Sequence, residues 1–162
     1  MTVQGSGEAS VETGVPVLNS LLERLAEVAG FDLVLESQPG DAEAEVDAAA
    51  DALGQALAGP LRMAGARGHG FGLMTSAEAL ANVVLEVSDE PLVVTNVDLT
   101  QAHVAGLGSD VARRFFERLA ASAGLVLHVR LLHGTDTQHV LEAIFKALGA
   151  ALSQACSPKG PT

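Results

Sequence analysis

The sequence predicts an α+β fold made of a duplicated unit in which helices pack on a sheet. Three observations support this prediction. Two segments of the chain repeat, each repeated unit alternates helical and strand-like patterns, and 48% of the 162 residues are apolar. A chain of this length can bury a core within one domain. Because an amphipathic helix and a sheet each hide one face against the other, each unit should have two layers.

The repeat is visible by direct alignment. Residues 21–36 (LLERLAEVAGFDLVLE) and 115–130 (FFERLAASAGLVLHVR) are identical at seven of sixteen positions, at an offset of 94. Residues 46–57 then match residues 141–152 at an offset of 95. Two matches in the same order and at nearly the same offset indicate a duplication.

The repeat suggests how the chain is divided. We expect a first half-unit over residues 1–65, a Gly-rich joint over residues 66–74 and a second half-unit over residues 75–162, together forming one compact domain. The joint is placed at ARGHGFGL because closely spaced glycines are typical of exposed connections.

In the first half-unit, leucines recur at 18, 21, 22 and 25, which is the spacing of one helix face. Gly30 should end this helix, since glycine accepts the left-handed conformation of a helix cap. A strand over residues 31–36 and a second helix with inward residues from Val46 to Leu57 follow. A short strand over residues 8–11 should precede them.

The second half-unit copies this order. We predict a helix over about 110–123 that stops at Gly124, a strand over 125–130 and a helix over 137–155. Two strands should precede them, over 83–87 and 92–98.

Charge and composition narrow the function classes. The formal net charge is −11, which opposes nucleic-acid binding because phosphate contacts need clustered Lys and Arg. No run of 18 apolar residues exists, so no membrane span is expected. Cys156 is the only cysteine, which excludes an internal disulfide. The N-terminus lacks the pattern of a signal peptide. We therefore expect a cytoplasmic protein.

Several runs together resemble the imidazoleglycerol-phosphate dehydratase family of histidine biosynthesis. They are GVPVLNSLLERLAEVAGFDL, LGQAL, AEALA and FFERLAASAGLVLHVRLLHGTDTQHVLEAIFKALGAAL. The resemblance covers residues 7–160 and implies a hydro-lyase with a duplicated α+β fold. It also implies two manganese ions, held between subunits by His and Glu, with a phosphorylated imidazole as substrate. Trimers that assemble into a larger shell are the implied homo-oligomer.

Carried over residue by residue, the resemblance assigns metal ligation to His128, His139, Glu142 and Asp47, where Asp47 stands in place of a glutamate. It assigns the catalytic roles to Glu142 and His128. Four other ligand positions depart from the family pattern, and they are occupied by Ser20, Glu43, Ala44 and Gln138. The loss of even one ligand matters, because changes in the surrounding shell alone cost about 10–100-fold in metal affinity or activity.

The phosphate side departs as well. Glu90 stands where the family has an arginine, which reverses a charge. The substrate-binding residues that the resemblance leaves are Lys146, Ser157 and Lys159.

Each of these residues also has a plainer interpretation. His139, Glu142 and Lys146 share one helix stripe, and most such stripes are only solvated. His128 on a strand could be a structural histidine. Asp47, with acids four residues away on either side, could be part of the acidic outer face of an Ala-rich helix.

Three hypotheses for the function follow. The leading one is a catalytically impaired paralogue that keeps the fold and self-association of the family. The second is an active dehydratase with an altered metal site. The third is a regulatory or ligand-binding module that assembles with an authentic dehydratase.

Overall fold

The computed structural model describes residues 5–36, 41–97, 103–104 and 107–158. The helices of these residues are α1 (Pro16–Ala29), α2 (Ala42–Leu61), α3 (Ser109–Ala123) and α4 (Thr137–Cys156). The strands are β1 (Ala9–Glu12), β2 (Leu33–Glu36), β3 (His69–Ser76), β4 (Ala79–Val87), β5 (Leu92–Thr95), β6 (His103–Val104), β7 (Leu107–Gly108) and β8 (Leu125–His133).

The described elements form a sheet–helix–helix–sheet arrangement. Strands β1 and β2 pair in parallel, and α1 and α2 contact this small sheet. A four-stranded sheet has the order β3-β4-β8-β5, with β5 parallel to β8 and the other pairs antiparallel. Helices α3 and α4 cover this larger sheet, and the two helix layers meet where α1 contacts α4 and α2 contacts α3. The predicted α+β class, with helices layered on sheets, is confirmed.

The helix boundaries follow from local chemistry. Helix α1 begins with Pro16, whose fixed φ suits a first helical position, and ends at Gly30 with φ of 73°. Helix α2 is capped by Asp41, whose carboxylate accepts the Ala44 N–H at 2.8 Å. Gly124 has φ of 74° directly after α3, as predicted for a helix stop. The predicted strand over 92–98 is shorter, since β5 ends at Thr95 and Asp98 lies outside the described residues.

The predicted exposed joint over residues 66–74 is wrong for residues 69–74, which belong to strand β3. Gly70 and Gly72 are buried on the inner face of β3, against α4. A Cβ atom on Gly72 would lie 2.1 Å from the Ala147 carbonyl oxygen, and one on Gly70 would lie 2.3 Å from that of Ala151. Glycine is needed here because the helix lies directly on the strand. The division into half-units remains a prediction.

The core lies between the helix layers and against the sheets. The leucine face of α1 is fully buried, with Leu22 and Leu25 at 0% exposure. Phe145 of α4 packs against Phe115 and Phe116 of α3, with ring centroids 5.2 and 5.6 Å away. This cluster joins α3 and α4 beneath the four-stranded sheet.

The outer face of the four-stranded sheet is apolar and exposed. Phe71 is paired with Val84, Val84 with His128, and His128 with Val94, so one row crosses all four strands. Phe71 is 59% exposed, and the neighbouring Leu73 is 53% exposed. Exposed apolar patches of this kind are typical of interaction surfaces.

No helix among the described residues is long and apolar enough to cross a membrane.

Candidate functional site

The start of α4 organises the polar side chains that the sequence singled out. Asp136 caps this helix, because its carboxylate accepts the backbone N–H of His139 at 3.1 Å. His139, Glu142 and Lys146 are half-buried along one stripe of α4. The opposite face of α4 is buried in the core through Leu141, Ile144, Phe145 and Leu148.

The hairpin that joins β3 to β4 contacts every residue of this stripe. Ser76 donates its hydroxyl to a Glu142 carboxylate oxygen at 2.7 Å. The Lys146 ammonium donates to the Thr75 carbonyl oxygen at 3.0 Å. Gln138 donates its side-chain amide to the other carboxylate oxygen of Glu142 at 3.3 Å. The Glu142 carboxylate is therefore held on one oxygen by Ser76 of the hairpin and on the other by Gln138 of its own helix.

Glu78 of the same hairpin contacts His139 of α4. One of its carboxylate oxygens lies 2.7 Å from Nδ1 of His139. The other accepts the backbone N–H of Asp136 at 2.8 Å, and the backbone N–H and hydroxyl of Thr135 also donate to it. Glu78 thus links the hairpin to the residues that precede α4 and to the helix itself.

These contacts shift the pKa values of both Glu78 and His139. The backbone N–H of Asp136 is the main reason why the pKa of Glu78 falls to about 2, with the His139 hydrogen bond adding to it. The hydrogen bond to Glu78 is in turn the main reason why the pKa of His139 is raised above its ordinary value of 6.5. The Asp136 carboxylate acts on His139 in the same direction. Both shifts favour the charged forms of the two side chains.

His128 lies on a different surface from the stripe. It is exposed on β8, between the buried Leu127 and Val129. Because directly paired residues share a face of the sheet, His128 lies on the same outer face as Phe71, while Gly70 and Gly72 face α4. A cavity of about 380 Å³ opens on that face. It is lined by His69, Gly70, Phe71, Val84, Leu85, Glu86, Val126 and His128.

The two predicted catalytic residues are therefore not brought together within one described chain. His128 is on the outer face of the sheet, and Glu142 is on the helix that covers the inner face. The resemblance places the family's metal sites between subunits, so a partner chain would have to complete either surface. The catalytic and metal roles of these residues remain predictions.

Asp47 of α2 is engaged by an arginine of α3. The Arg114 guanidinium donates to both carboxylate oxygens of Asp47, through Nε at 3.3 Å and through a shorter second contact. Arg114 also donates to Glu43 at 2.8 Å. One turn further along, Arg118 donates to both oxygens of Asp51. These five residues form a ladder of ion pairs between α2 and α3, which we call the α2–α3 ladder.

The electrostatics of the ladder favour the arginines as cations. The pKa of Arg114 is raised above its ordinary value, mainly by the hydrogen bond to Asp47. The Asp47 side chain is 15% exposed, so its carboxylate has little access to other partners. A divalent cation at this position would have to displace a bidentate guanidinium. The first-half residues therefore do not fit a manganese ion.

The second-half residues fit such an ion in part. The Nδ1 atom of His139 is held by Glu78, and the other ring nitrogen is a donor of the kind that manganese accepts. Glu142 adds carboxylate oxygens one turn further along the helix. Among the described residues, however, no group of three or more His, Cys, Asp or Glu side chains could hold a metal ion.

The predicted substrate residues are spread along α4. Ser157 follows its last residue and donates its hydroxyl to the Ser153 carbonyl oxygen at 2.6 Å. At 1.5 Å per residue, Ser157 is about 27 Å from His139 along the helix, and Lys146 is about 10 Å from it. One chain does not bring Ser157 to the stripe. Lys159 lies outside the described residues.

The positions that depart from the family's ligand and phosphate-binding pattern are mostly on the surface. Ser20 and Glu90 are exposed. Asn19, next to Ser20, has a local role instead, because its side-chain oxygen accepts the backbone N–H of Thr13 at 2.9 Å. This contact fixes the turn before α1.

Comparison with known proteins decides the family. The sequence profile of imidazoleglycerol-phosphate dehydratase matches residues 13–152. The chain belongs to the imidazoleglycerol-phosphate dehydratase family. The dehydratase of Syntrophobacter fumaroxidans is 36% identical over 160 residues, which cover 96% of this chain and 81% of the relative. That of Pelobacter propionicus is 35% identical, with 96% and 82% covered.

Solved structures agree with the fold. The crystal structure of the dehydratase from Staphylococcus aureus has a TM-score of 0.85 and 29% identity, covering 96% of this chain and 91% of that one. The dehydratase from Pyrococcus furiosus also gives a TM-score of 0.85 at 24% identity, covering 94% and 85%. The family resemblance drawn from the sequence is thereby confirmed.

Sequence reasoning missed two residues of the site. Glu78 lies within the AEALA run that carried the resemblance, but nothing in that run marks it as a partner of His139. Arg114 was not among the residues that the sequence pattern singled out. Its spacing of four from Arg118 matches that of Glu43, Asp47 and Asp51, and this was the available signal.

Proposed function

We propose that this chain is a catalytically impaired member of the dehydratase family, related to histidine biosynthesis, in which the α2–α3 ladder has replaced the first-half metal site. The observation that carries the proposal is the bidentate contact of Arg114 with Asp47. A guanidinium supplies a fixed positive charge where the resemblance implies a metal ion. It has no open coordination position and therefore cannot bind a substrate imidazole.

Other positions support the same proposal. Ala44 and Gln138 replace histidines of the family pattern, and neither side chain is a suitable manganese ligand. Glu90 carries a negative charge where the family has an arginine, which disfavours a phosphorylated substrate. Chemistry that depends on two metal ions should fail when one of the two ligand sets is lost.

An active dehydratase with an altered metal site is the second candidate. It is favoured by the relatives named as the enzyme and by the retained stripe of His139, Glu142 and Lys146. In that case the second-half residues would bind and orient the imidazole and the phosphate, while the ion supplies Lewis acidity. A regulatory module that assembles with an authentic dehydratase is the third candidate.

We further propose that the protein is a cytoplasmic homotrimer. The outer face of the four-stranded sheet supports this, because Phe71, Leu73, Val84 and Val94 are apolar and 43–59% exposed in the single chain. Burying apolar area contributes roughly 25 cal/mol per Å². A second and third copy of this chain are the natural cover for such a face. Growth into a larger shell through metal-bearing residues is not expected when those residues are changed.

Metal content and activity test the impaired function together. Purified protein incubated with manganese should hold far fewer than two ions per chain by elemental analysis, and it should not dehydrate imidazoleglycerol phosphate. A combined variant with Glu43→His, Ala44→His, Asp47→Glu and Arg114→Gln should hold more manganese, because it removes the guanidinium and supplies ligands. Arg113→Gln is the matched control, since the described ion pair of Arg113 is with Glu117 of its own helix and not with α2. Two tightly bound ions in the wild type, or rescue of a histidine auxotroph, would overturn the proposal.

Light scattering tests the assembly. We expect a trimer whose mass does not rise with added manganese and does not fall with a chelator. A monomer would contradict the role given to the outer face. A larger, chelator-sensitive assembly would restore the metal sites that the ladder argues against.

A further inference from the structure

The repeat gives α2 and α4 the same row of small residues. Residues 46–57 match residues 141–152, and the match includes three alanines spaced by four, which therefore share one helix face. They are Ala48, Ala52 and Ala56 in α2, and Ala143, Ala147 and Ala151 in α4. We call these sets the α2 alanine face and the α4 alanine face. The α4 alanine face is fully buried, whereas the α2 alanine face is exposed.

A β-hairpin covers the α4 alanine face. Strands β3 and β4 form an antiparallel pair that lies on α4. Gly72 and Gly70 of β3 lie so close to the carbonyl oxygens of Ala147 and Ala151 that a Cβ atom would not fit. Glycine in a strand permits this approach. In the second copy of the repeat, the alanine face is thus the seat of a hairpin whose glycines face the helix.

In the first copy, both the helix and the strand beside it lack this hairpin among the described residues. Strand β8 pairs with β4 and β5, but its counterpart β2 pairs with β1 alone. Leu33 of β2 donates its backbone N–H to the Glu8 carbonyl oxygen at 2.9 Å, on the side of β1. Because successive N–H groups of a strand point to opposite sides, the N–H of Val34 points to the open edge.

The charges of the first sheet indicate what a further strand should carry. Glu12 of β1 and Glu36 of β2 are paired directly and are both exposed. Like charges in this position are unfavourable, so a basic residue opposite Glu36 on the open side would be stabilising.

We propose that the α2 alanine face and the open edge of β2 together bind a β-hairpin of a partner polypeptide, one strand of which pairs antiparallel with β2. The partner should have glycine at the positions that face α2 and a basic residue opposite Glu36. Main-chain hydrogen bonds to an open edge supply affinity, and the side chains supply specificity. A folded second copy does not fit, because its strands β1, β3 and β4 already carry helices on the face that would lie on α2.

A cyclic peptide of residues 68–88 of this chain is the probe, since it holds β3, β4 and their turn in a preformed hairpin. Hydrogen exchange of the full chain, resolved by NMR, locates the binding. The Val34 N–H should exchange rapidly in the free protein. With the peptide at ten times its dissociation constant, this exchange should slow about tenfold, because only the free fraction exchanges rapidly.

A substitution on α2 tests the helix contact. Ala52→Leu should weaken binding roughly 10–100-fold, because the leucine side chain would occupy the position of the strand. Ala121→Leu is the matched control, since Ala121 is exposed on α3, and it should leave the affinity unchanged. Circular dichroism shows whether each variant keeps the fold.

Substitutions in the peptide test the hairpin from its own side, even when Ala52→Leu does not fold. Gly70→Leu combined with Gly72→Leu should abolish binding. In the register of the repeat, Asn82 of the peptide is opposite Glu36, as it is opposite Arg130 in β8. Asn82→Lys should therefore strengthen binding roughly 2–5-fold, and Asn82→Glu should weaken it by a similar factor.

Three results would overturn the proposal. One is the absence of Val34 protection by the cyclic peptide at any concentration that dissolves. Another is binding that neither Ala52→Leu nor the glycine substitutions weaken. The third is a Val34 N–H that is protected in the wild type alone and becomes exposed in Ala52→Leu, because a second copy would then cover this surface.

Discussion

The substitution Gly72→Ala tests whether β3 lies directly under α4. A Cβ atom at this position would be 2.1 Å from the Ala147 carbonyl oxygen and 2.9 Å from the Cβ of Ala150. The first distance is more than 1 Å inside ordinary contact, and the atom it meets belongs to the helix backbone. The helix cannot rotate this oxygen away as it could a side chain. It must move as a whole.

The expected change in the free energy of unfolding is the balance of two opposing effects. Overpacking of a well-packed core costs about 1–3 kcal/mol. Replacing glycine by alanine offsets about 0.4–1 kcal/mol of this, because it restricts the unfolded chain. The φ angle of Gly72 is not positive, so the backbone adds no strain. We expect a net loss of about 0.5–2 kcal/mol in the free energy of unfolding.

Urea unfolding followed by circular dichroism measures this loss. With a urea dependence of about 2–3 kcal/mol per M, the midpoint should fall by about 0.5 M. Protein concentration must be fixed, since assembly adds to apparent stability. Gly59→Ala is the matched control, because beyond its chain neighbours and the backbone of its own helix no atom lies within 4 Å of its Cβ position in α2. That change should alter stability by less than about 0.5 kcal/mol, since the gain in helix propensity is offset by the contact of the new Cβ atom with the ring of Pro60.

Of the two substitutions, only Gly72→Ala should therefore lower the free energy of unfolding appreciably. If Gly72→Ala is neutral or stabilising, the close packing of β3 on α4 is wrong. The prediction of an exposed Gly-rich joint over residues 66–74 would then be the better description.

Two further predictions concern the hairpin. Ala77 has φ of 49° at the first position of the two-residue turn, where an L-residue is strained by about 1–2 kcal/mol. Ala77→Gly should therefore raise the free energy of unfolding, measured in urea, by about 0.5–1 kcal/mol. A decrease would contradict the turn conformation. The lowered pKa of Glu78 gives stability that is present above about pH 4.5 and is lost as pH falls toward 2. The raised pKa of His139 gives stability that is present below pH 6.5 and is lost as pH rises through the pKa of the folded state. The melting temperatures of wild type and Glu78→Gln should differ most between about pH 4.5 and 6.5, and a difference independent of pH would refute the pair.

The helices were predictable because their signals are local. The leucine spacing of α1 and the glycines at 30 and 124 specify a face and two ends within a few residues. Strand β3 was missed because its glycines resemble those of a loop. Only the approach of α4, some 75 residues later, explains why Gly70 and Gly72 are there.

The site was less predictable for the same reason. The retained stripe on α4 could be placed from spacing and resemblance. The partner of Asp47, however, is Arg114, 67 residues away, and the partner of His139 is Glu78, 61 residues away. Spacing along one helix indicates which residues share a face. It does not indicate what the opposing element supplies.

The end of α3 has a consequence for how the chain unfolds. The carbonyl groups of its last residue, Ala123, and of Gly124 directly after it accept hydrogen bonds from the Arg62 guanidinium at 2.7 and 3.1 Å. Arg62 follows α2, so the predicted first half-unit supplies a cation at a helix terminus of the predicted second half-unit, where a positive charge is favourable. Gly149 likewise admits the Leu25 carbonyl oxygen of α1 against α4. Separating the helices would remove this cation from the end of α3 and expose a face of α4, so we expect the two predicted half-units to unfold together.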